Sequence, residues 1–199
     1  MTDALPPAAV HPPVPSAVDP AGALARPALG VLWQALDAVP DPEIPAVSVV
    51  GLGILRGVEW DAGDPLLLVV TVTPTYSGCP ASELIMTSIR DAVLAMGVAR
   101  VRIETRLAPA WTTDWMTAEA RRKLREFGIA PPDVVRAVST PAAIDVTGIS
   151  PLRRAGATVA CPRCQSPRTQ LVSQFGSTAC KAHFRCLACL EPFDYFKPH

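Results

Sequence analysis

The sequence has no charge imbalance, few histidines and few aromatic side chains. Its 199 residues carry 18 basic and 18 acidic groups and 3 histidines, with aromatics at 6%. A formal net charge of zero argues against a dedicated nucleic-acid binder, because neutralising phosphates needs a basic surplus on at least one face. The same balance argues against attachment to a membrane surface. Hydrophobic residues reach 49%, enough for a real core, yet no unbroken apolar run approaches the ~20 residues of a spanning helix. A glycine-rich phosphate-binding loop is also missing.

Proline, by contrast, is abundant. At 22 residues it is about twice its usual share, which speaks against a long helical array or coiled coil. Seven of the prolines precede Gly30, in a stretch with no aromatic residue and only Asp3, Asp19 and Arg26 charged. That stretch buries too little surface to offset its ordering entropy, so residues 1–29 are expected to form a disordered, partly polyproline-like tail. It has neither the positive start nor the unbroken apolar stretch of a secretory signal, and the expected location is the cytoplasm.

From Gly30 the texture changes. Leu32, Trp33, Leu36 and Val39 recur at helical spacing before Pro40 and Pro42. Residues 47–52, 54–60 and 66–73 are apolar and β-branched and read as three strands, the last one central because it lacks a polar face. A helix is expected over 80–96, ended by Gly97. Residues 98–107 alternate, with Arg100, Arg102, Glu104 and Arg106 on the wet side of a strand. A last helix runs from Thr117 as N-cap to Phe127, closed by Gly128. Its basic run Arg121, Arg122, Lys123 and Arg125 reads as a solvated face, with Glu126 placed to pair Arg122. A sheet with one solvated face and a few helices makes an α+β fold, a two-layer α/β domain with a small mixed sheet. The expected division is a tail over 1–29, this domain over 30–129, a linker over 130–159, and a small C-terminal zinc-ribbon-like β lobe over 160–199.

The C-terminal lobe carries the most specific signal. Cys161 and Cys164 form one Cys-x-x-Cys turn, and Cys186 and Cys189 form a second. Each turn puts two thiolates on one side of a tight knuckle, and two facing knuckles make a tetrahedral sulfur cage. Zinc suits such a cage, and a lobe this small needs a staple to fold. A rubredoxin-like iron centre uses the same ligands, and two disulfides would need an oxidising compartment. Five aromatics (Phe175, Phe184, Phe193, Tyr195 and Phe196) supply a miniature core. The lobe has a basic surplus of three, which four thiolates around one divalent ion cut to about one, so nucleic-acid binding is not expected there either. His183 and His199 find no vacancy in a site already holding four cysteines. Cys180 is either a small buried residue beside the metal core or an auxiliary thiol.

The larger domain has one cysteine. Cys79 precedes Pro80, a residue favoured at a first helical position, so Cys79 is expected at the N-cap, where the positive helix end stabilises a thiolate. Asp41-Pro42-Glu43-Ile44-Pro45 reads as a stiff extended loop that presents two carboxylates on one side, although a solvated turn fits the spacing equally. A cysteine hydrolase would pair Cys79 with a histidine. All three histidines (His11, His183 and His199) lie in the tail or the C-terminal lobe, so a thiolate beside carboxylates fits transient handling of iron or a cluster better than hydrolysis, and borderline-soft zinc would accept the same ligands. Trp111, Trp115 and Met116 read as either a lid on the core or an exposed docking surface.

Four motifs carry a resemblance. Asp41-Pro42-Glu43-Ile44-Pro45, Ser48-Val49-Val50-Gly51-Leu52-Gly53-Ile54, Thr71-Val72-Thr73-Pro74-Thr75-Tyr76-Ser77-Gly78-Cys79-Pro80 and Trp111-Thr112-Thr113-Asp114-Trp115-Met116-Thr117 together resemble the metal–sulfur-cluster assembly domain family. The ending adds Phe175-Gly176-Ser177-Thr178-Ala179-Cys180-Lys181 and Glu191-Pro192-Phe193-Asp194-Tyr195-Phe196-Lys197 around the knuckles. It is similar to one branch of that family, the D components of bacterial phenylacetyl-CoA epoxidase systems. The resemblance implies an accessory or maturation component of aerobic phenylacetate catabolism that is not itself catalytic. It also implies partners among the epoxidase components, above all the Fe–S-containing reductase, to which iron or Fe–S clusters would be delivered. Cys79 would be the transfer thiolate, flanked by Asp41 and Glu43, and Cys161, Cys164, Cys186 and Cys189 would hold a structural metal. A structural adaptor and a rubredoxin-like electron-transfer component are the alternatives. Pro198 departs from the pattern, standing where the branch implies a cysteine.

Overall fold

The computed structural model describes residues 26–132 and 159–198. Most of the expected tail and linker, with His11 and His199, lies outside the described residues.

Helix α1 (Leu29–Asp37) forms where Leu32 and Leu36 recur one turn apart, and both are fully buried. Strands β1 (Leu55–Trp60), β2 (Leu67–Val72) and β3 (Arg100–Thr105) make a sheet in the order β1-β2-β3. β1 runs antiparallel to β2, whereas β3 runs parallel to it. A parallel neighbour needs a crossover, and α2 (Ser82–Ala95) supplies it, burying Ile85, Ile89 and Val93. The continuous apolar run does become the central strand: Leu68, Val70 and Val72 face the core with the helices, and Val69 and Thr71 are buried on the other side. β3 keeps the expected wet face. Val101 and Ile103 pack on the core, while Arg100 and Arg102 pair with Asp64 and Asp61 of the β1–β2 turn at 2.5 and 3.0 Å.

One expected strand does not form. Residues 47–52 fold as consecutive turns, with a single bridge between Pro40 and Ser48. The Leu52 amide donates to the Ser48 carbonyl, and the Gly51 amide to Ser48 Oγ, both at 2.9 Å. Gly53 follows with φ +73°, and a Cβ there would come within 2.6 Å of Trp115. This run is apolar because Val47, Val49 and Leu52 fill the core, not because it pairs with a neighbouring strand.

Helix α3 (Ala118–Phe127) has the expected ends. Thr117 Oγ1 accepts from the Ala120 amide at 3.0 Å, and Gly128 closes the helix at φ +93°. On its exposed face Arg122 pairs with Glu119 and with Glu126. Immediately after it, β4 (Ile129–Ala130) leaves the first domain and pairs in parallel with the last strand of the C-terminal lobe. A second sheet results, in the order β4-β7-β6-β5, from β5 (Thr169–Ser173), β6 (Lys181–Cys186) and β7 (Pro192–Phe196). The boundary expected between residues 129 and 130 therefore passes through a strand of this sheet. Phe184 stacks on Phe193 and meets Tyr195 edge-on, with centroids 5.8 and 5.6 Å apart, forming the lobe's small core.

The architecture is the α+β one expected, a two-layer domain with a small mixed sheet and a C-terminal β lobe. The two parts share a core. Phe196 and Cys180 belong to the hydrophobic cluster of the larger domain, and the Phe196 ring lies 5.9 Å from that of Trp111. Trp111 is buried, and its indole N–H donates to the Leu52 carbonyl at 3.0 Å, so it is a core lid and not an exposed surface. Trp115 is half-buried under the Arg56 guanidinium. Among the described residues no helix is long and apolar enough to cross a membrane.

Candidate functional site

The four knuckle cysteines converge. Their sulfurs all lie within 4.8 Å of one another, with Cys161 to Cys189 at 3.8 Å and Cys164 to Cys186 at 3.5 Å. A zinc–sulfur bond of about 2.3 Å in a tetrahedron puts neighbouring sulfurs about 3.8 Å apart, so the cage has the dimensions a closed tetrathiolate site requires. The two knuckles are built alike. Gln165 and Leu190, each directly after the second cysteine of its pair, sit at φ 63° and 66°. A left-handed backbone costs about 1–2 kcal/mol for a residue with a Cβ, a strain that coordination of a metal would offset. The Ala188 and Cys189 amides point at Cys186 Sγ, at 3.3 and 3.5 Å, and would neutralise part of a thiolate's charge. His183 is engaged elsewhere, its Nδ1 lying 3.3 Å from Asp194 Oδ1.

The second constellation lies where the two parts of the molecule meet. A pocket opens beyond the carboxyl ends of the parallel strands, past Val72 of β2 and Thr105 of β3, the place where open sheets commonly offer a crevice. Cys79 enters it from the loop between β2 and α2, Asp41 and Glu43 from the loop after α1, and Cys180 from the start of β6. The space open to the centre of a water-sized sphere is about 30 Å³. Since one water needs about 10–15 Å³ by that measure, the pocket as it stands has room for a single ion or for two or three waters. Ile44, Leu52, Ile54 and Ile85 make the rest of the wall largely apolar.

Two local expectations need correction. Cys79 is not the N-cap, because α2 begins at Ser82 with Ala81 as cap and a turn through Pro80 intervenes. The Ser82 amide donates to the Cys79 carbonyl at 3.1 Å, and this turn occupies the position the first helical turn was expected to take. Nor is the Asp41 loop extended. Asp41 Oδ1 accepts the Glu43 and Ile44 amides at 2.9 and 2.8 Å, folding the loop back while both carboxylates still reach the pocket. Asp41 is buried, which pushes its carboxyl above the usual value against the pull of those two amides.

Sequence reasoning did not bring Cys180 into this site, nor Tyr76 beside Cys79. Cys180 is buried, with its Sγ 3.0 Å from Thr178 Oγ1 and 3.7 Å from Glu43 Oε2, and burial pushes its thiol up. The Tyr76 phenol is raised to about 12, first by burial and then by the neighbouring Cys79, with smaller contributions from Glu43 and Cys180. No spacing rule could have linked the Cys180 segment to Glu43. The Tyr76 side chain had a weak signal, its place three residues before Cys79 in one turn. Among the described residues, the knuckle cysteines are the one group of three or more His, Cys, Asp or Glu side chains already gathered closely enough to hold a metal ion.

Comparisons with known proteins follow the same division. Residues 148–197 match the family model of the PaaD zinc beta ribbon domain, and residues 31–104 match that of the iron–sulfur cluster assembly proteins. The putative D subunit of the 1,2-phenylacetyl-CoA epoxidase of Escherichia coli strain K12 is 45% identical over 174 residues, covering 87% of this chain and 95% of its own. A "Fe-S protein maturation auxiliary factor" of Porphyromonas gingivalis is 39% identical over 90 residues, 45% of this chain and 83% of its own. The crystal structure of a domain of unknown function, DUF59, from Bacillus anthracis covers 48% of this chain and 89% of its own at 28% identity, with a TM-score of 0.43.

Proposed function

Because the chain belongs to the family of the 1,2-phenylacetyl-CoA epoxidase D subunits, we propose that it serves such an epoxidase as an accessory maturation factor. In this reading it carries iron or an iron–sulfur cluster to the component that needs it, and it is not itself the oxygenase. Both halves of the chain support the reading: the region shared with cluster assembly proteins holds Cys79, and the ribbon region is shared with the epoxidase family. The observation that carries it is the meeting of Cys79, Asp41 and Glu43 in one largely apolar pocket with no histidine in its wall.

A thiol without an imidazole partner is a poor hydrolytic nucleophile but a good soft ligand. Carboxylates beside it take up the proton that a thiol releases on binding metal, and they favour a cation. The half-exposed position of Cys79 allows a cluster or ion to be received and surrendered, where a closed cage would retain it. The four knuckle cysteines hold zinc as a structural ion. Their cage offers no open position, so its part is to fold β5 to β7 and thereby bring Cys180 and Phe196 against the larger domain. The recipient is the iron–sulfur-bearing reductase component, the partner that a cluster donor in this system would serve.

A strain lacking the gene and growing on phenylacetate tests the proposal. The wild-type chain is expected to restore growth and the Cys79→Ser chain to fail, although both accumulate with one zinc each. Full rescue by Cys79→Ser would sink transfer through this thiol and leave a docking role.

A further inference from the structure

Cys180 has a position that a purely structural cysteine of the ribbon would not need. It lies outside the cage, whose four ligands the knuckles already supply, and it packs with the larger domain and not with the lobe's own core. It lines the same pocket as Cys79. Its nearest acid is Glu43, 137 residues away in the chain, with Oε2 at 3.7 Å from its Sγ. Next to it, Lys181 is buried with its ammonium 3.8 Å from Asp194, and its charge is felt at Asp41 and Cys180.

We infer that Cys180 is the second thiol donor of the pocket, so that an iron cargo is held between the two parts of the molecule by Cys79, Cys180 and the Glu43 carboxylate. This rests on the maturation reading above and extends it, since that reading needs only Cys79. The chemistry is a ligand exchange. As the sulfur–iron bond forms at Cys180, the thiol proton passes to Glu43 and from there to water, and iron gives up a water ligand with no change of oxidation state. Two thiolates and a carboxylate exceed the charge of ferrous iron by one, and the Lys181 ammonium, shared with Asp194, offsets part of that excess. The pocket as it stands has room for a single ion. Glu43 and Cys180 are already in contact, whereas Cys79 stands half-exposed on its own loop and its sulfur is not gathered with theirs in this structure, so binding iron requires the Cys79 loop to draw in towards the pair.

The test uses the full-length chain with its ribbon saturated by zinc, which ferrous iron does not displace from thiolates. Anaerobic titration with ferrous iron is expected to fill one further site, with X-ray absorption at the iron edge showing two sulfur neighbours. Cys180→Ser and Cys180→Ala should each weaken that site at least about tenfold, the smallest loss usual on removing even an outer-shell partner, with zinc retained. A single sulfur neighbour in the wild-type chain overturns the inference without depending on any variant. So does unchanged affinity in both Cys180 variants while Cys79→Ser abolishes binding, an outcome that leaves the maturation reading standing. If the wild-type chain takes up no iron beyond the ribbon, both fall together.

Discussion

Asp41 does two jobs that pull against each other. Its Oδ1 fastens the loop by accepting the Glu43 and Ile44 amides, and this fixes where the Glu43 side chain stands. Burial makes the same carboxyl hard to ionise. A carboxyl whose folded pKa is raised contributes most to stability below its unfolded value, about 3.9 for aspartate, and loses that contribution as pH rises through the folded value. Asp41→Asn keeps the acceptor oxygen and removes the titration. The difference in unfolding free energy between wild type and Asp41→Asn, followed by denaturant titration from about pH 3 upward, should move in favour of the variant as pH rises. A flat difference would mean that the carboxyl titrates as it does in water. Asp41→Ala, which leaves both amides without their acceptor, should be less stable than Asp41→Asn at every pH.

At the scale of elements, the turn at 47–53 matters more to the site than any strand. It brings Leu52 and Ile54 into the pocket wall and leaves the Leu52 carbonyl free to receive the Trp111 indole. Gly53 makes this possible, with a positive φ and Trp115 where a Cβ would go. Gly53→Ala should cost about 2–5 kcal/mol, the sum of a left-handed alanine and an overpacked contact, measured by equilibrium unfolding. A loss well under 1 kcal/mol would show that the turn relaxes freely. The same turn marks the limit of what local pattern reveals. Helix α3 was legible because Thr117 and Gly128 are chemically committed to its ends. β2 was legible because only a strand covered on both faces is apolar throughout. Residues 47–52 have the composition of a strand, and composition does not distinguish a chain that pairs with a neighbour from one that turns and plugs a core.

Across the whole molecule, the ribbon forms one wall of the pocket. Phe196 closes on Trp111, and Cys180 closes on Glu43. The sequence marks both cysteine groups plainly, through the knuckle spacing and through the loop around Cys79, but their relation depends on contacts between distant segments that no local period encodes. If the cage holds the lobe together, stripping its metal with a strong chelator should expose the far side of the pocket. Cys180 should then react with an alkylating reagent, read by mass spectrometry, while the far-ultraviolet signature of α1 to α3 persists. Continued protection of Cys180 in metal-free protein would mean that hydrophobic contact alone seats the lobe.

If Cys79 passes iron to a client, the transfer itself is what should be followed. Wild-type chain loaded anaerobically with labelled iron, mixed with the iron-free reductase component and separated from it, is expected to leave its label on the reductase and restore that component's electron transfer. Cys79→Ser, with an intact zinc ribbon, is expected to transfer none above the rate of free iron. Equal transfer by the two proteins would contradict the account.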